Sequence, residues 1–190
     1  MRKIKLILSV LILSVFSTLS FGQTIDGITL GKTETEVVNK LIAKGFKLSE
    51  KMSPVIKKYE GRLSNGDNVE IIIVLTPKTK LVWKLVLSKK AYSWSSAKSM
   101  FDTYKDKLVK KYGPSTNDYR IFTSPYYDGD GYEMLSLYSD KCIWRSYWES
   151  LSIDIKSFEY NVAEIRISYE NPEATKVNET EKEELDNKTF

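Results

Sequence analysis

Histidine is absent from all 190 residues, and cysteine occurs once, as Cys142. Without imidazole there is no Ser-His-Asp or Cys-His nucleophile, and no metal site that depends on a histidine ligand. With one thiol no intrachain disulfide can form, so packing has to hold the fold together. A glycine-rich phosphate loop is also missing. The apolar run Leu6 to Phe16 (LILSVLILSVF) falls short of the roughly 18–20 residues that span a bilayer. Arg2, Lys3 and Lys5 precede it, and Ser20 and Gly22 stand at −3 and −1 of a cut before Gln23. That layout predicts a cleaved signal peptide over residues 1–22. No cysteine lies near the cut to carry a lipid, so the mature chain is expected in the periplasm or outside the cell, without a membrane anchor. Its removal takes three basic residues and no acidic one, and the formal charge falls from +4 to +1. A near-neutral domain has no global attraction to nucleic acid.

The remaining 168 residues suit one domain, read as 23–170 with halves at about 23–90 and 91–170. In the first half, Thr33 and Glu36 fit a capping box, and Val37, Val38, Leu41 and Ile42 share a helical face. Gly45 then stops a helix over 34–44. The period changes afterwards. Residues 55–63, 69–76 and 81–87 read as strands of an antiparallel meander, separated by Ser64–Asp67 and Pro77–Lys80 turns. In the second half, Ser93 or Ser95 caps a helix to Tyr112, ended by Gly113-Pro114. Strands follow at 119–123, 132–138, 142–148, 151–157 and 162–169. The reading is an α+β fold, two helices on antiparallel sheet, arranged as a tandem α-β-β-β repeat. From Asn171 the composition turns polar, and residues 171–190 read as a disordered tail, with a short helix at 179–186 as the alternative. Asn178-Glu179-Thr180 within it matches a glycosylation sequon.

The segments GITLGKTETEVVNKLIAKGF, KDKLVKKYGPS, DGDGYEMLSL and IRISYENP resemble a group of secreted proteins of Bacteroides type. The segment GITLGKTETEVVNKL is also similar to the opening helix of beta-lactamase-inhibitor-protein-like domains and of the small lipoprotein of the outer-membrane assembly machine. That resemblance implies a helix-and-sheet unit, capable of tandem repetition, whose role is protein binding. This chain lacks the lipid-bearing cysteine and the disulfides of those families.

Three stretches carry chemistry worth weighing. Residues 124–133, SPYYDGDGYE, offer Asp128, Asp130 and Glu133 as calcium oxygens. In an EF-hand register with Gly131 at position 6, however, Tyr126 and Leu137 fall where ligands belong. Two glycines and two turn-forming aspartates make a tight turn without any metal. Ser95-Ser96-Ala97-Lys98 matches the S-x-x-K nucleophile motif, but its S-D-N and K-T-G companions are absent, and a capping serine explains it. Glu149, Asp154, Glu159 and Glu164 have no spacing that makes a glycosidase pair. In KCIWRSYWES (141–150), Trp144 and Trp148 share one face of a strand, and Arg145 and Tyr147 the other. The expectation is a non-catalytic module that takes no cofactor or metal and binds another envelope or extracellular protein. A glycan is the alternative ligand. The candidate contact residues are Tyr126, Tyr127, Asp128, Asp130, Tyr132, Trp144 and Trp148.

Overall fold

The computed structural model describes residues 24–187, so the signal-peptide reading of residues 1–22 lies outside the described residues. A small pair of strands, β1 (Thr24–Ile25) and β2 (Ile28–Thr29), leads into α1 (Glu34–Ala43). The capping box forms as the sequence predicts: the Glu36 amide donates to Thr33 Oγ1 and the Thr33 amide to Glu36 Oε2 at 3.1 Å. Four strands follow, β3 (Lys47–Ser53), β4 (Ile56–Arg62), β5 (Asn68–Leu75) and β6 (Val82–Ala91). Next comes α2 (Trp94–Tyr112), capped by Ser93, whose hydroxyl accepts from the Ser96 amide at 3.2 Å. The chain continues through β7 (Asn117–Phe122), α3 (Glu133–Tyr138), β8 (Cys142–Trp148), β9 (Leu151–Glu159) and β10 (Val162–Glu170), and closes with α4 (Pro172–Asp186).

The fold is α+β, dominated by one eight-stranded antiparallel sheet in the order β3-β4-β5-β6-β10-β9-β8-β7. The two-helix, three-strand expectation needs revision. Four helices are present among the described residues, and each of α1 and α2 precedes four strands. Strand β3 escaped sequence reading because it is an edge strand paired only with β4 and exposed along nearly all its length, so it needs no apolar pattern. Of residues 132–138, read as a strand, Glu133–Tyr138 form α3 instead. Glu133, Ser136 and Leu137 are its buried positions, spaced by a helical turn rather than alternating.

The polar tail is likewise a helix. Asn171 caps α4 by accepting from the Ala174 amide at 2.9 Å, and Pro172 sits in its first turn. Glu181 then accepts hydrogen bonds from the amides of Lys78 and Thr79 and from the Thr79 hydroxyl, clamping α4 onto the β5–β6 turn. Asn178 is buried in this helix at 4% exposure, which removes the sequon from any surface role.

Alternation along each strand sorts side chains to two faces. Ile71 and Ile73 of β5, Leu85 and Leu87 of β6, Ile165 and Ile167 of β10, Ile153 and Ile155 of β9 and Trp144 of β8 all join one core with α1, α2 and α3. Helix α2 lies on β6, β9 and β10, and α3 on β8, β9 and β10. At Gly61 a β-carbon would come within 2.5 Å of the Phe46 ring, so only glycine lets that ring close the core's edge. Among the described residues the opposite face of the sheet is left open, with α4 reaching one end of it through Lys182, 5.9 Å from the Trp83 ring.

Candidate functional site

The open face is ordered by register. Glu60, Glu70, Ser88, Arg166, Asp154, Arg145 and Tyr119 stand side by side across β4, β5, β6, β10, β9, β8 and β7. The next row runs Lys58, Ile72, Val86, Ser168, Ser152, Tyr147 and Asn117. A bulge between β5 and β6 turns Trp83 as well as Lys84 onto this face. Together Met52, Ile56, Ile72, Val74, Trp83, Val86 and Phe158 line a shallow apolar groove of about 550 Å³. Met52 is 52% exposed and Phe158 65%.

Part of the charge on this face is paired locally. Lys84 pairs with Glu170 at 2.8 Å, Lys58 with Glu50 at 3.0 Å, and Arg145 with Asp154. Burial pushes the Arg145 guanidinium toward losing its proton, but Tyr147 and Asp154 outweigh burial and hold its pKa above the ordinary value. Arg166 lies over the Phe158 ring at 5.3 Å, and Arg145 over Tyr147 at 5.4 Å. Tyr119 meets Tyr147 edge-on at 5.9 Å. Asp154 Oδ1, Arg145 Nε, Arg166 Nε and Trp83 Nε1 are buried and have no hydrogen-bond partner among the described residues. The face is thus built from stacked arginine, aromatic and aliphatic groups with a few polar atoms unmet.

The residues picked out from sequence fall elsewhere. Trp144 is 9% exposed and packs edge-on against Trp94 at 5.1 Å, so it belongs to the core and offers no platform. Trp148 is half-buried, with its indole N–H donating to the Gly113 carbonyl at 2.9 Å. Of the strand's two faces, the one bearing Arg145 and Tyr147 is presented, because α2 covers the tryptophan side.

The DGDG loop is self-contained. Asp128 accepts from Trp94 Nε1 and from Lys98 Nζ, both at 2.9 Å, and these bonds hold its carboxyl below the ordinary range. Asp130 accepts from the amides of Tyr127 and Tyr132, and Glu133 from the Gly129 amide at 2.8 Å. Among the described residues no cluster of three or more metal-ligating side chains occurs. Tyr126 is half-buried, whereas Tyr127 and Tyr132 are exposed. The loop is made of turns and bends, and the sequence reading did not single out the open face.

Other chemistry is similarly occupied. Lys98, the lysine of S-x-x-K, is held by Asp128 and lies 5.1 Å from the Trp144 ring, while Ser95 is exposed in the first turn of α2. Burial raises the Cys142 thiol to about 12, far above the range in which a thiolate forms. Glu164 accepts from Ser88 Oγ at 2.9 Å, and Asp154 is engaged by Arg145. A clue to the open face was present in β5. Its VEIIIVL run is apolar at both parities, which a strand needs only when both faces meet something. No family model, no curated protein and no solved structure matches this chain.

Proposed function

We propose that the protein is a non-catalytic, exported binding module, and that the open face of its sheet receives a partner protein in the periplasm or outside the cell. The observation that carries this reading is the composition of that face. Trp, Tyr, Phe, Met and Arg are the residue types that dominate the energetics of protein interfaces, and here they gather on a surface that, among the described residues, α4 reaches only at one end. Local ion pairing supports the same reading, since charges already paired within the face do not have to be desolvated singly when a partner docks. The resemblance to beta-lactamase-inhibitor-protein-like domains points the same way, and a helix preceding four strands in each half, with α3 inserted after β7 in the second, supports an origin by duplication.

Capture from envelope extract on the tagged chain lacking residues 1–22 tests the proposal when run beside variants. Phe158→Ala with Tyr147→Ala should weaken the captured partner about thirtyfold, the effect of losing about 2 kcal/mol at a hot spot. Tyr127→Ala, on the exposed loop, should leave it unchanged. Retention of the partner by the double variant would overturn the assignment of the face. Exposed Tyr127 and Tyr132 favour the glycan reading instead, and a Tyr127→Ala variant that alone abolishes glycan binding would establish that second reading.

A further inference from the structure

The eight-stranded sheet has two edges, and they are built differently. β3 carries Lys47, Glu50 and Lys51, and its register with β4 shifts twice. Charges and irregular pairing of this kind are how natural sheets keep an edge from recruiting another strand. β7 has neither defence on its open side. All six of its residues pair with β8 in unbroken register. Its open-face side chains are Asn117, Tyr119 and Ile121, all uncharged and exposed, and Ile143 beside Ile121 is equally exposed. Its two charges, Asp118 and Arg120, project to the helix face. There Asp118 meets Lys105 at 2.8 Å, and Arg120 lies over Phe101 at 4.6 Å.

We infer that β7 is a self-pairing edge, and that two copies of this chain join β7 to β7 antiparallel, continuing one eight-stranded sheet into the next. The occupant is a second copy because the strand is complementary in charge to itself in the register centred on Tyr119. The Thr123 amide donates to the Lys141 carbonyl at 2.8 Å. Alternation from there turns the backbone groups of residues 121, 119 and 117 toward β8 and those of 122, 120 and 118 outward. A two-fold axis normal to the sheet at Tyr119 then places Asp118 of each copy across Arg120 of the other, with both outward backbones in ladder positions. Tyr119 meets its own counterpart in the closely spaced, non-hydrogen-bonded site. Opposite-charge and aromatic cross-strand pairs are the stabilising ones. An axis at Arg120 or at Asp118 would oppose like charges instead. The contact is isologous, and it sets both open faces on the same side of a doubled sheet.

Sedimentation of the chain lacking residues 1–22, over a micromolar to millimolar range, should reveal a dimer. Ile121→Lys should shift it to monomer, weakening association at least tenfold with an unchanged circular dichroism spectrum. Geometry is read separately by mild oxidation of variants carrying one added cysteine, the native Cys142 being buried. Tyr119→Cys should cross-link at least tenfold faster than Ile121→Cys, because residue 119 faces itself at disulfide distance and residue 121 faces Asn117. A wild-type chain that stays monomeric throughout would overturn the inference. So would a dimer in which Tyr119→Cys cross-links no faster than Ile121→Cys.

Discussion

Trp144 and Tyr147 stand three positions apart on one strand and have opposite fates. Parity alone separates them, but parity does not say which side a helix will cover. Trp144 meets Trp94 and Phe122 edge-on in a ring cluster beneath α2, while Tyr147 faces outward beside Arg145. Removing a core indole forfeits its buried area and leaves a cavity. Trp144→Ala should therefore cost about 3–5 kcal/mol in urea denaturation. Phe158→Ala, at a largely exposed site on the open face, should stay within about 0.5 kcal/mol. Equal losses for the two would mean the faces are misassigned. Asp118 marks the other residue-scale balance. Burial raises its pKa, but Lys105, Ser146 and Ser115 outweigh this and hold it at about 2.

At the scale of elements, α4 is the least expected feature, and polar contacts rather than a broad apolar face dock it. Burial raises the pKa of Glu181, and the Thr79 hydroxyl with the Lys78 and Thr79 amides outweighs it, leaving the carboxyl below its ordinary value. A depressed folded-state pKa contributes stability that is full above the unfolded carboxylate pKa and is lost as pH falls through the folded value. Glu181→Gln should thus loosen α4 at neutral pH by about 1.5–3 kcal/mol, the scale of hydrogen bonds to a charged group. Hydrogen exchange of the α4 amides would report this as at least tenfold faster opening. The wild-type and variant rates should converge as pH drops below the carboxylate range. A gap that persists in acid would assign the effect to shape rather than charge.

For the molecule as a whole, the deciding pairing is β6 with β10, where the two halves meet in the middle of the sheet. One continuous core takes in residues from both halves, from Val37 and Ile71 to Ile155 and Ile165. Splitting the chain near Tyr92 would expose the inner face of both halves and leave β6 and β10 as raw edges. A single cooperative transition should appear in thermal and urea unfolding, coincident by tryptophan fluorescence and far-ultraviolet circular dichroism. Two separated transitions would show the halves to be independent units.

Much of this was legible residue by residue. The capping box at Thr33 and Glu36, the serine-capped helix to Tyr112 and the alternation of VAEIRISYE each carry their structure in local spacing. The absence of histidine and of paired cysteines was complete information from composition alone. Asn171-Pro172 was also a readable helix start, overlooked because the segment behind it is polar. Other features were decided only by tertiary structure. An edge strand such as β3 pairs through its backbone and leaves no side-chain pattern. Glu181 finds its partners about a hundred residues away, at Lys78 and Thr79. Which face of the sheet became core and which stayed open depended on where α1, α2 and α3 landed. Local periodicity divides a strand into two faces, and only long-range packing chooses between them.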